Sequence, residues 1–152
     1  MKELKRIRKL FEESYNGDPW LDVNLVDTFK KISAATAAKK IHPQLNTIWE
    51  IVDHMIAWRQ NVLQRVKGNV IQSPADNYFR PVEDQSEIAW QDTMQALKAT
   101  QQEWLQFLDA NDDDLLEKIY PGNNGSYYKH IQGIIQHDVY HLGQIVILAK
   151  IA

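Results

Sequence analysis

The chain has 152 residues, a formal net charge of −3 and no cysteine. That length suits one domain spanning 1–152 and can bury a core without staples, while the missing cysteines exclude a disulfide framework and a cysteine nucleophile. The composition, 44% apolar and 24% charged, is that of a soluble globular protein, and the charge balance gives no argument for nucleic acid.

Helical periodicity dominates the chain. A first helix is expected from about Lys2 to Tyr15, with Leu4, Ile7, Leu10 and Phe11 on one face. Lys2, Lys5, Arg6, Arg8 and Lys9 then form its solvated outer face and not a nucleic-acid patch. "NGDPW" ends it. A short helix near Val23 to Ile32 follows, then a weak turn through "SAATAAKK". The second long helix begins after "HPQLN", where Thr47 and Glu50 have capping-box spacing, and runs to about Lys67 before Gly68. Residues 69–83 are expected to be irregular, with Pro74 and Pro81 as breakers. A third long helix covers about Asp84 to Ala110. After the loop "PGNNGS", Ser126 caps a last helix that reaches about Lys150. The fold class is therefore all-α: a four-helix bundle with short extra helices in its connections. No apolar run approaches the ~18–20 residues of a membrane span, and the N-terminus lacks the apolar region of a signal peptide. A cytoplasmic protein without membrane or nucleic-acid partners is expected.

The chemistry concentrates in "GIIQHDVYHLGQIVILAK", residues 133–150. His137 and His141 stand four apart, on one helix face with Cβ atoms about 6 Å apart, so both rings can reach one ion. A zinc-type site needs at least one more protein ligand. His130 shares the face but lies about 10 Å along the axis from His137 and about 16 Å from His141, too far to join both. It reads as lining the helix start or a cleft. His42 precedes Pro43 in a loop and reads as solvated. His54 remains, at the border of the second helix's apolar stripe, beside Ile51 and Trp58. Histidines at the borders of two apolar faces suit a site at the mouth of a bundle.

Asp138 falls inside the apolar arc of the last helix, where an unpartnered carboxylate would cost several kcal/mol. It can hold the second N–H of His54 across the bundle, or bond Trp49, Trp58 or Arg59 structurally. Glu50, four residues before His54, is a further candidate for holding a ligand or moving a proton, with its capping-box role ranked above that. Trp49, Trp58, Trp90, Trp104 and Tyr140 are the aromatics available to wall a pocket, Trp58 and Tyr140 being nearest the histidines, although tryptophans at helical spacing are more often core.

Together "NTIWEIVDHMIAWRQNVLQRVKG" and "GIIQHDVYHLGQIVILAK" resemble the DinB/YfiT-like superfamily of small metal-binding four-helix proteins, over most of the chain from about Trp20. That family carries one histidine on its second long helix and an H-x3-H pair on its last. Carried over residue by residue, the metal ligands fall on His54, His137 and His141. Leu142 departs from the pattern, since many relatives have a basic residue after the last histidine, so an anion-binding role there is absent. The resemblance implies one divalent transition metal, zinc first, with nickel, iron or copper also compatible with histidine ligation. It also implies a small-molecule substrate, a low-molecular-weight thiol cosubstrate of the bacillithiol type, S-transferase chemistry and a homodimer. A hydrolase using metal-bound water and a non-catalytic metal-binding or sensing protein are the alternatives.

Overall fold

The computed structural model describes residues 2–152. Its helices are α1 (Glu3–Asn16), α2 (Leu25–Phe29), α3 (Ala34–Ala38), α4 (Ile48–Val66), α5 (Glu87–Asp109) and α6 (Tyr127–Ile151), with a 3-10 turn at Asp113–Glu117 before α6. Two of the expected boundaries shift. "SAATAAKK" forms the short helix α3, because Ser33 accepts the Thr36 N–H as its cap and Glu87 takes the Ala34 N–H from across the chain. The third long helix starts at Glu87 and not Asp84, because the Ser86 hydroxyl accepts the N–H of Ala89 and fixes the first turn there. The capping box of Thr47 and Glu50 is formed. No helix among the described residues is long and apolar enough to cross a membrane.

The four long helices pack in a ring, α4 between α5 and α6, with α1 closing the far side. Contacts give their directions. His54 meets His141 and Arg59 meets Asp138, so α4 and α6 run antiparallel. Trp49 bonds Thr93 and Arg59 bonds Gln101, so α4 and α5 run parallel. Parallel neighbours need a connection that travels the length of the bundle. Residues 67–86 make it, passing over the outside of α4. The turn into this crossover uses Gly68 at φ 100°, a conformation that favours glycine, just past the helix end.

The core has two apolar clusters. One gathers Leu25, Phe29, Trp49, Met55, Trp90 and Leu148; the other gathers Ile7, Phe11, Val62, Trp104, Leu116 and Ile131. A polar layer separates them. Arg59, 1% exposed, donates from Nη1 to Asp138 Oδ2 at 3.1 Å and from Nη2 to Gln101 Oε1, and Gln101 donates to the Phe11 carbonyl. Trp49, Trp90 and Trp104 are buried core residues whose indole N–H groups are taken up by Thr93, the Ile32 carbonyl and the Arg59 carbonyl. None of the three lines the cleft beside the histidines. A Trp has a large apolar area to bury, and when buried its N–H usually finds an acceptor, as all three do here.

Candidate metal centre

His54 on α4 and His137 and His141 on α6 converge. Their Nε2 atoms are 2.9 Å (His54 to His137), 3.1 Å (His54 to His141) and 3.1 Å (His137 to His141) apart. The tautomers follow from the other side of each ring. His54 Nδ1–H donates to the Asn77 carbonyl at 2.6 Å, and a carbonyl only accepts. His141 Nδ1–H donates to Gln144 Oε1 at 2.7 Å. Both rings therefore turn a bare Nε2 lone pair inward. Lone pairs crowded at 3.1 Å repel unless a cation sits between them, and two imidazoles with their outer N–H groups held suit a transition metal, while His137 Nδ1 is buried without a hydrogen-bond partner. Nitrogens this close together could all reach one ion at a bond length of about 2.1 Å. The three histidines can hold a metal ion.

The crossover supplies the support. Besides the Asn77 carbonyl on His54, Asn77 Oδ1 accepts the Trp58 indole N–H, and Phe79 stacks on the His54 ring with centroids 4.0 Å apart. Asn77 and Tyr78 both have positive φ, 52° and 60°. Each such non-glycine residue costs of order 1 kcal/mol, so the loop is held in shape by its contacts. Tyr78 is one anchor: its hydroxyl accepts from Asn61 of α4. Sequence reasoning missed Asn77, Phe79 and Gln144. The crossover's length and its "DNYF" cluster were the available signal, since long loops without secondary structure are commonly functional.

Asp138 does not serve His54. Its carboxylate is taken by Arg59, and the Asn77 carbonyl occupies the position on His54 that Asp138 was expected to fill. Burial pushes Asp138 up to about 6 against the pull of Arg59. Glu50 is likewise elsewhere: it accepts the Thr47 N–H at 2.7 Å and lies near Lys40. His42 is exposed, with Nδ1 accepting the Gln44 N–H.

The cluster opens onto a cleft of about 1130 Å³ between α4 and α6. Trp58 and Tyr140 line it, as does His130, whose ring meets Asn123. Gly133, one turn before His137, leaves the floor open, for an added Cβ there would meet nothing.

Burial depresses all three cluster histidines, His137 to about 3, and their mutual repulsion adds for His137 and His54. Folded values below the unfolded 6.5 mean that below that pH the unfolded chain binds more protons. Metal-stripped protein is thus expected to keep full stability above about pH 6.5 and to lose it progressively as pH falls. Urea midpoints at a series of pH values check this, and a His54→Gln, His137→Gln, His141→Gln variant should lack most of the fall. The stripped wild type is expected to keep its helical circular dichroism, since the core is large enough without the ion.

The fold and the three-histidine cluster define a helical-bundle protein with a site that could hold a metal ion. Residues 22–145 match the DinB superfamily, and the chain belongs to that family. No curated protein and no solved structure gave a significant match.

Proposed function

We propose that His54, His137 and His141 hold one divalent transition metal, zinc first, and that the protein is a metal-dependent enzyme acting on a small molecule with a low-molecular-weight thiol, an S-transferase. The observation that carries this reading is the convergence of three imidazole nitrogens on the wall of a large open cleft. When bound, such an ion would lower the proton affinity of a coordinated thiol or water toward neutrality. The chain's own residues do the rest. Asn77 and Gln144 hold two ligand rings in the metal-binding tautomer. Ile51, Trp58, Phe79 and Ile134 give the cleft an apolar wall that can keep water from a reacting electrophile. No carboxylate lines the cleft among the described residues. His130, the cleft's one histidine outside the cluster, lies about 10 Å along the axis from His137, so no side-chain general base stands beside the cluster, which favours a nucleophile that ionises easily, a thiol, over water.

The test is cobalt-substituted protein titrated with a small thiol. A new charge-transfer band and a thiol-dependent turnover of electrophiles, lost on chelation and restored by metal, are expected. Ester or amide turnover without thiol would replace the transferase by a hydrolase. Metal uptake with neither would leave a binding or sensing protein.

A homodimer belongs to the same proposal. Trp20 at 99% exposure and Ile88 at 77% are large apolar side chains facing solvent, and two-fold pairing is the commonest way to cover such surface. Light scattering is expected to give about 35 kDa, twice the chain mass; a value of 17.7 kDa at micromolar concentration overturns it.

A further inference from the structure

At the end of the cleft away from the histidine cluster, α4 carries a second buried arginine. Arg65 is 7% exposed, and among the described residues no carboxylate forms an ion pair with it. Its Nη2 donates to Ser73 Oγ at 3.0 Å, and its Nε is buried with no acceptor. Arg59 is the internal comparison. It lies on the same helix, is buried more deeply and also has an Nε without an acceptor, but it has the carboxylate of Asp138 as counter-charge. A guanidinium cannot shed its proton, so burying it without a counter-charge is unfavourable unless something else compensates. Stacking compensates in part: the Arg65 guanidinium lies 5.5 Å from the Trp58 ring centre and 5.1 Å from that of Tyr120. Those faces also fix where it points. It lines the large cleft and a smaller neighbouring pocket of about 120 Å³, and no carboxylate lines either among the described residues. The Gly122 backbone lies so close to Tyr120 that a Cβ there would be 2.5 Å from the ring, which ties the shape of this end to a glycine.

Lys129 lines the same end of the cleft from α6, next to His130. His130 senses the local field: burial first, then Arg65 and Lys129, press its pKa below the usual histidine value. The result is a concave, positively charged end with a preorganised, uncompensated guanidinium. Arg65 follows His54 by eleven residues and Lys129 precedes His137 by eight, so the charged end lies about 12–16 Å along the helices from the histidines, less the reach of the side chains.

We propose that this end of the cleft is a subsite for the anionic group, carboxylate or phosphate, of an elongated small molecule whose other end reaches the histidine cluster. The proposal rests on reading the cleft as a substrate site, and it makes the substrate or the thiol cosubstrate an anion with its charge roughly 10 Å from the reacting atom. Arg65 donates from its fixed plane, Lys129 adds charge from the rim, and the Trp58 and Tyr120 faces keep the guanidinium in place.

Nuclear magnetic resonance of the whole protein tests this, with inorganic phosphate and succinate titrated separately at constant ionic strength so that screening is not read as binding. The Arg65 Nε–H and Trp58 indole resonances are followed in stripped and in zinc-loaded protein. Saturable shifts with one or both anions are expected at about millimolar concentration, alike with and without metal. The anion that saturates names the head group. Arg65→Gln is expected to weaken binding at least about tenfold and the exposed Lys129→Gln about threefold. If Arg65→Gln fails to fold, Lys129→Gln decides. With zinc bound, an ω-mercapto carboxylic acid is expected to bind about tenfold more tightly than the plain alkanethiol of equal length. No saturation by either anion, or binding indifferent to both substitutions, overturns the subsite. Thiol binding to metal without preference for the acid would sink the subsite and leave the metal reading standing. Anion binding in a protein that takes up no metal would do the reverse.

Discussion

Loss of any one cluster histidine is expected to cost the protein its metal. With His54→Ala, His137→Ala or His141→Ala, two imidazoles remain, and two do not make a zinc-type site. The affinity should drop by more than about 100-fold, since disturbing the groups that merely orient a ligand already costs about 10- to 100-fold. His42→Ala and His130→Ala are the controls. The first ring is exposed in a loop, and the second bonds Asn123 at the other end of the cleft. Elemental analysis of each purified variant reads the outcome. Full occupancy in His54→Ala would remove the α4 ligand and with it the proposal that the two helices share an ion. Because the stripped protein is expected to stay folded, metal loss can be separated from unfolding by circular dichroism on the same samples.

The second large effect concerns stability and not metal. Asp138→Ala leaves the Arg59 guanidinium buried with no counter-charge, which should cost about 3–5 kcal/mol. Asp138 and Arg59 are 3% and 1% exposed at their side chains, so solvent cannot make up the loss. Removing both charges by Arg59→Met with Asp138→Leu is expected to cost less than Asp138→Ala alone, because an apolar pair of similar volume needs no counter-charge. Urea unfolding of the three proteins measures this. Folded Asp138→Asn should keep its full metal content, as the carboxylate makes no bond to a cluster histidine. An Asp138→Ala protein within about 1 kcal/mol of wild type would show that the polar layer is not a coupled unit.

These two effects come from neighbouring residues with unrelated tasks, and only one of those tasks was legible beforehand. His137 and His141 are four apart on one helix, a relation that the 3.6-residue period makes local, and His54 was the remaining histidine able to meet them. Asp138 announced through its place in the apolar arc that it needed a partner, and Arg59 was among the candidates. Which candidate it was depends on how α4 and α6 are rotated against each other, and no local pattern encodes that rotation. The tryptophans pose the same problem. Trp49, Trp58, Trp90 and Trp104 all recur at helical spacing, yet Trp58 alone of the four lines the cleft, because the crossover and not another helix covers its face.

Local interactions thus determined much of this protein by themselves. The long helices follow from apolar periodicity, and the starts of α4 and α6 from the Thr47 and Ser126 caps, since each needs only residues within a few positions of one another. The pairing of two histidines on one face is equally local. Tertiary structure decided what depends on distant segments meeting. Asp113 caps α1 across more than a hundred residues by accepting the Glu3 and Leu4 N–H groups. The crossover of residues 67–86 has no period of its own, and its course over α4 is set by the parallel placement of α4 and α5. That course brings the Asn77 carbonyl to His54 and Ser73 to Arg65. It fixes the imidazole tautomer at one end of the cleft and leaves a buried guanidinium unpaired at the other.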